Sequence, residues 1–292
     1  MFELLQKMIY KFKRQKLGVF VILGAIFWYG QEVFFKRSGA SYAGIPETEK
    51  FKLADVTHIF RKEGFMLGYS ELRGNPLWVT YHLKPKRKNA RTNKRPSGFH
   101  EERFSIQGTK HSDYTHTGYD RGHMAPNHAI STLYGRDAQL ETFSMVNITP
   151  QKPNLNRKIW QRLESIEINK FAVWFKDVWV ITGPIFSDNP KKLKGKGKSS
   201  NVQIPKAFYK IYVVPGVKKN SPKQVLAFII PQGVRGGAPL TRYITTIDEI
   251  EKQTNLDFLH KVEDKLEDSL ESSKNANAWR IKELLKVRGR FE

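Results

Sequence analysis

No cysteine occurs in the 292 residues, which excludes disulfides even where a compartment would permit them, so stability must come from a buried core. Acid is scarce: 28 Asp and Glu stand against 50 Lys and Arg, giving a formal net charge of +22. That imbalance attracts polyanions at long range and releases counterions on binding them. Charge alone does not separate nucleic acid from anionic lipid. No internal repeat is detectable, and apart from one segment near the amino terminus no long apolar run interrupts the polar background.

That segment runs from Leu17 to Tyr29 and extends through Val33, Phe34 and Phe35 past Gln31 and Glu32, after a basic start with Lys7, Lys11, Lys13, Arg14 and Lys16. Its full extent approaches the length that crosses a bilayer. Residues 1–37 are therefore expected to form a basic amino terminus and a transmembrane signal anchor, favoured over a signal removed at Ser41-Tyr42-Ala43 because that site lies far beyond the apolar stretch. Only Lys36 and Arg37 closely follow the run, so the amino terminus is expected in the cytoplasm. The remainder would face the periplasm or exterior, or the mitochondrial intermembrane space in a eukaryote. Residues 38–50, containing Ser38, Gly39, Gly44 and Pro46, read as a linker.

Residues 51–262 carry the strand and helix patterns of one domain, long enough to bury its own core. Strand-like runs lie at Gly68–Ser70 leading to Trp78–Tyr81, at Val178–Thr182, Phe208–Val214 and Val225–Ile230. Helical patterns lie at Gly135–Phe143, Arg157–Ile168 and Ile247–Leu259. The fold class is α+β, with a largely antiparallel central sheet flanked by helices. Two basic stretches, Lys84 to Arg95 and Lys191 to Lys198, read as flexible loops placed to follow phosphates. Residues 263–292 read as a charged, partly helical, peripheral tail.

The chemistry concentrates in Asp120-Arg121-Gly122-His123-Met124-Ala125-Pro126, in Asn147-Ile148-Thr149-Pro150-Gln151, and in Asn156, Trp160 and Glu164 at four-residue intervals. An imidazole takes a proton near neutral pH, a guanidinium forks onto phosphate oxygens, and a carboxamide is a neutral oxygen ligand that Mg²⁺ accepts. Positions i, i+4 and i+8 share a helix face, but Asn156 and Glu164 would lie roughly 12 Å apart along the axis. Glu164 is therefore expected to act through a metal-bound water or a neighbouring side chain, and Trp160 to pack against the sheet. Taken together, the groups suit metal-assisted cleavage of a phosphodiester.

These residues resemble the sugar-nonspecific DNA/RNA endonucleases, the endonuclease G-like group with a ββα-metal (His-Me finger) site. The resemblance extends in order from residue 55 to residue 260, through Leu77–Leu83, Val180–Phe186, Ile204–Lys210, and Ile247–Glu251 with Thr254, Leu256, Asp257 and Phe258. It implies that His123 is the general base, Asn156 the single protein ligand of Mg²⁺ (Mn²⁺ as a substitute), and Glu164 the group that orients the metal's waters. It places Arg121 near the scissile phosphate and Asn147 in a supporting hydrogen-bond network. An upstream arginine meets transition-state charge, with Arg95 the leading candidate and Arg91 its competitor. Asp120, Arg91 and Gln151 are expected on the substrate side. Two departures stand out: Asn255 replaces a glycine after Thr254, and the helix continues past Glu164 without an arginine that some members carry.

The implied reaction is in-line hydrolysis of DNA and RNA to 5′-phosphate and 3′-hydroxyl ends, since no 2′-hydroxyl takes part. The expected partners are DNA and RNA, a membrane through the amino-terminal helix, and a second copy of the chain as a candidate homodimer. Two other readings use the same residues differently: a membrane-tethered nucleic-acid-binding protein that does not cleave, and a lipid-surface structural protein.

Overall fold

The computed structural model describes residues 19–284 and 287, except 21, 25–26, 33–35, 38, 87–89, 91–92 and 196–197, and omits the side chains of 198 and 199. The chain divides into two compact units, residues 1–39 and 40–292.

In the first unit, helical turns cover residues 22–24 and 27–31, and Glu32 pairs with Arg37 at 3.9 Å. No helix among the described residues is long and apolar enough to cross a membrane. This corrects the expected transmembrane helix. The physical reason lies in length: the strictly apolar part, from Leu17 to Tyr29, spans only ~20 Å as a helix, against a hydrocarbon core of about 30 Å. Gln31 and Glu32 then interrupt it. The basic start, residues 1–16, lies outside the described residues.

The second unit is built on a seven-stranded sheet in the order β12-β11-β10-β7-β4-β3-β2. Its strands are β2 (His58–Lys62), β3 (Phe65–Ser70), β4 (Asn75–Leu83), β7 (Val178–Ile185), β10 (Ala207–Pro215), β11 (Pro222–Pro231) and β12 (Ile244–Thr245). Every neighbouring pair is antiparallel. The remaining strands form two-stranded pairs: β1 (Glu47–Thr48) with β13 (Leu256–Asp257), β5 (Asp120–His123) with β6 (Ile148–Gln151), and β8 (Lys192–Gly195) with β9 (Lys198–Gln203). The last pair corrects the flexible loop expected over 191–198.

Both sheet faces are covered, which is why the central strands read as continuous apolar runs. Alternation along β10 sends Phe208 and Tyr212 to one core and Tyr209, Ile211 and Val213 to the other. On the first face lies the long helix α3, residues 155–175, whose Trp160, Leu163, Ile166 and Phe171 are buried. Each fully buried side chain of this size contributes roughly 1.5–3 kcal/mol. Two turns of α3, Leu155–Trp160 and Glu167–Phe171, are wide π turns. On the second face lie α4 (Ile247–Thr254) and α5 (Asp264–Glu271), with Ile247 and Ile250 in the core.

Helix α4 ends at Thr254, five residues before the expected end at Leu259, because Asn255 takes the left-handed conformation (φ 61°, ψ 30°) and lets Leu256–Asp257 pair with β1. The helix expected over Gly135–Phe143 is present as α2 (Arg136–Glu141), and an unexpected helix, α1 (Asn127–Tyr134), precedes it; Gly135, at φ 96°, separates the two. The tail is not peripheral. Trp279 is fully buried, donates Nε1–H to Val225 O at 2.9 Å, and packs edge-on against Phe171 and Phe175.

Candidate active site

Strands β5 and β6 pair with each other although α1 and α2 lie between them in the chain, helix α3 follows β6, and these three elements carry most of the chemistry-bearing residues. In the β5/β6 register Asp120 faces Gln151 and His123 faces Ile148. Helix α3 is tied to β5 through one carboxylate. Asp120 accepts from Asn156 Nδ2 at 3.0 Å through Oδ2, and from Arg157 Nε and Nη2 at 2.8 and 2.7 Å. The bidentate arginine pair holds the carboxylate in one plane. Because Nδ2 is committed, Asn156 presents Oδ1, to which no described residue donates.

His123 sits 7% exposed between rings, with Phe143 edge-on at 4.9 Å and Phe99 at 5.4 Å. Those rings are held by backbone bonds from His100 N to Phe143 O and from Met145 N to His100 O. Its Nε2 is sealed from solvent and has no partner. Burial, followed by the charge of Arg95, pushes its pKa down to about 3, so the ring is neutral at physiological pH. The chain just after it is fixed by Asn147, whose Oδ1 accepts from Ala125 N at 2.8 Å. Asn147 Nδ2 donates to Ala125 O and Thr142 O at 3.1 and 2.9 Å.

Glu164 lies further along α3. Burial pushes its carboxyl up to about 7, opposed by Lys210 and Arg95 and assisted by Glu167. The guanidinium of Arg95 rests over Phe143 at 4.9 Å and acts electrostatically on both His123 and Glu164. Arg95, the leading candidate for the upstream arginine, thus stands close enough for its charge to bear on both groups, while its competitor Arg91 lies outside the described residues. Behind Glu164, Lys210 Nζ meets Glu167 Oε1 at 2.6 Å with both side chains fully buried, and stands 4.6 Å over the Trp160 ring. Tyr81 and Tyr212 hydroxyls donate to the same Glu167 carboxylate at 2.8 and 2.9 Å.

Arg121 donates from Nε and Nη2 to His111 O at 3.2 and 2.7 Å and from Nη2 to Thr115 Oγ1 at 3.1 Å, which fixes one edge of its fork. Gln151 is fully buried over Gly122, and neither its Nε2 nor its Oε1 has a partner. A Cβ at position 122 would lie 2.1 Å from that Oε1, so the glycine makes room for the amide. The Arg157 clamp and the Lys210–Glu167 pair were not anticipated. Both are contacts between elements distant in sequence, and only the adjacency of Arg157 to Asn156 hinted at the first.

A model of the DNA/RNA non-specific endonuclease family matches residues 47–265. The chain belongs to this family. It is similar to the mitochondrial nuclease of Saccharomyces cerevisiae, with 30% identity over 217 residues covering 69% of this chain and 65% of that protein. It is also similar to mitochondrial endonuclease G of Homo sapiens, with 26% identity over 228 residues covering 74% of each. Its fold matches a crystal structure of an EndoG/EndoGI complex with a TM-score of 0.61 at 24% identity, over 77% of this chain and 91% of that one.

Metal dependence is a property of this endonuclease family, and the donor set suits a hard divalent cation. Asn156 offers an oriented neutral oxygen, and Glu164 a sheltered carboxyl on the same helix. Thiolate ligands are excluded by the absence of cysteine.

Proposed function

We propose that this endonuclease hydrolyses phosphodiester bonds of both DNA and RNA with a divalent cation, Mg²⁺ or Mn²⁺, held by Asn156 Oδ1. The observation that carries the proposal is the bond from Asn156 Nδ2 to Asp120, because it turns the amide oxygen outward as a ligand. A bound cation supplies positive charge beside the nonbridging and leaving oxygens of the phosphate.

The chain's own groups perform the remaining tasks. His123 accepts the proton of the attacking water at Nδ1, since Nε2 is sealed in the protein. The low pKa of the ring keeps that nitrogen free as an acceptor. Glu164 orients waters beside the cation, and Arg95 and the free edge of Arg121 face the charge that builds on the phosphate. Asn147 holds the segment 124–125 that follows the base. Asp120 acts as a positioning residue rather than as a substrate contact: its oxygens are engaged with Asn156 and Arg157, and a carboxylate repels phosphate. Gln151, fully buried, supports β5 from within. The yeast and human relatives are both named for the mitochondrion, and the proposal carries that compartment over only where the host has one.

End-group analysis tests the reaction. Digests of single-stranded RNA and duplex DNA are expected to yield 5′-phosphates that block end-labelling by kinase until phosphatase is added. RNA products ending in 2′,3′-cyclic phosphate would overturn the mechanism.

A further inference from the structure

On the sheet face opposite α3, three carboxylates converge. Asp248 and Glu251 on α4 and Glu271 at the end of α5 each offer an oxygen, and these oxygens all lie within 4.8 Å of one another. In a chain of net charge +22 such a cluster would be simple to neutralise with lysine. Yet no ion pair among the described residues reaches Asp248, Glu251 or Glu271, and the charged groups that weigh most on Glu271 are the carboxylates of Glu251, Glu267, Asp248 and Asp257.

A second observation concerns Glu271 itself. It is 93% withdrawn from solvent (7% exposed), and its Oε1 is inaccessible and has no hydrogen-bond partner. An orphaned carboxylate oxygen in the interior costs several kcal/mol of solvation unless a donor or a cation meets it. Burial, then Glu251, Glu267, Asp248 and Asp257, push this carboxyl up to about 9. Glu251 keeps one oxygen on Phe258 N at 2.8 Å, which fixes its side chain and leaves the other free.

We propose that Asp248, Glu251 and Glu271 form a Ca²⁺ site that joins α4 to α5 and is separate from the catalytic centre. The donors are oxygen only, and three carboxylates offer more anionic oxygens than Mg²⁺ ordinarily takes from protein, whereas Ca²⁺ accepts six to eight ligands. The span of 4.8 Å is twice a Ca–O bond of about 2.4 Å. Asp248 is exposed, so water completes the shell on its side. The ion has a structural role: by clamping two helices that share the second core it stabilises the fold without entering the reaction. The inference does not rest on the proposed cleavage mechanism.

The test compares the EDTA-stripped full chain with its Asp248→Asn and Glu271→Gln variants by calorimetric titration with Ca²⁺ and by thermal unfolding. The wild type is expected to bind one more equivalent of Ca²⁺ than either variant. Its Tm should rise by about 5 °C in millimolar Ca²⁺, and this rise should be lost in both variants. Asp248→Asn changes only an exposed side chain, so it folds even if Glu271→Gln does not, and it should keep full Mg²⁺-dependent cleavage. Equal stoichiometry and equal Tm shifts in wild type and Asp248→Asn would overturn the site. So would a Glu271→Gln variant whose stability exceeds that of the wild type with or without Ca²⁺, because that result identifies carboxyls sharing a proton. Mg²⁺ binding at this site as tightly as Ca²⁺ would overturn the assignment of the ion.

Discussion

Asn156 donates its amide hydrogen to Asp120 at 3.0 Å, and Asp120 in turn is gripped by Arg157 at 2.7 and 2.8 Å. The proposed metal ligand on α3 is thereby oriented by a carboxylate on the strand that carries the proposed general base. The charge of Asp120 never needs to touch the substrate for its loss to be felt.

Replacing Asp120 by Asn keeps the shape and removes the charge that holds both partners. Cleavage is expected to fall on the order of 10–100-fold, with the Mg²⁺ concentration for half-maximal rate shifted upward. Steady-state rates across a Mg²⁺ titration measure this. A change in the KM for DNA with no change in metal dependence would instead make Asp120 a substrate contact.

The depressed pKa of His123 and the raised pKa of Glu164 act on stability with opposite signs. Between its unfolded value near 6.5 and its folded value of about 3, His123 binds fewer protons when folded, so its contribution is present above 6.5 and lost as pH falls. Between 4.5 and about 7, Glu164 binds more protons when folded, so its contribution is present below 4.5 and lost as pH rises. From pH 4.5 to 6.5 the two oppose each other. In metal-free denaturant titrations, Glu164→Gln should make stability rise more steeply with pH than in wild type, by up to about 1.4 kcal/mol per pH unit. His123→Ala should tilt it the other way. Parallel pH profiles for the three proteins would contradict this.

The buried Lys210–Glu167 pair should be costly to break from one side. Lys210→Met leaves a buried carboxylate with only hydroxyl donors and is expected to destabilise the fold by about 3–5 kcal/mol. Adding Glu167→Gln should return part of that loss, so the double variant is more stable than the sum of the single changes implies. Additive losses in urea titrations would show that the two groups are not energetically coupled.

Gly122→Ala places a methyl group 2.1 Å from Gln151 Oε1 and forces the buried amide to move. A stability loss of about 1–3 kcal/mol is expected, with a fall in turnover because β5 also carries His123. Combining it with Gln151→Ala should restore part of the stability. No recovery in the double variant would mean that the strain lies elsewhere.

The sheet was legible because alternation is a local signal: the strands expected near Trp78, Ile181, Ile211 and Leu226 are all present, and the apolar faces of β10 alternate between two cores. The chemistry-bearing types could also be read, since Asp120 to His123 and Asn156 to Glu164 are contiguous or periodic. Contacts between distant elements could not. Lys210, in an apolar strand, gives no sign that its partner is Glu167 on α3, and Trp279 lies in a segment whose charge suggests solvent although its ring fills the core. The amino-terminal run is ambiguous for a related reason: Gln31 and Glu32 interrupt its apolar residues, and no helix among the described residues is long and apolar enough to cross a membrane.

The central claim is that His123 and Asn156 act together on one cation-held phosphate. Nicking of circular DNA by wild type, His123→Ala and Asn156→Ala, each with Mg²⁺ and with EDTA, tests it most directly. The wild type should nick only with Mg²⁺, and each variant should lose at least about 100-fold in rate while still binding DNA. Cleavage by His123→Ala at the wild-type rate, or wild-type cleavage that persists in EDTA, would contradict the account.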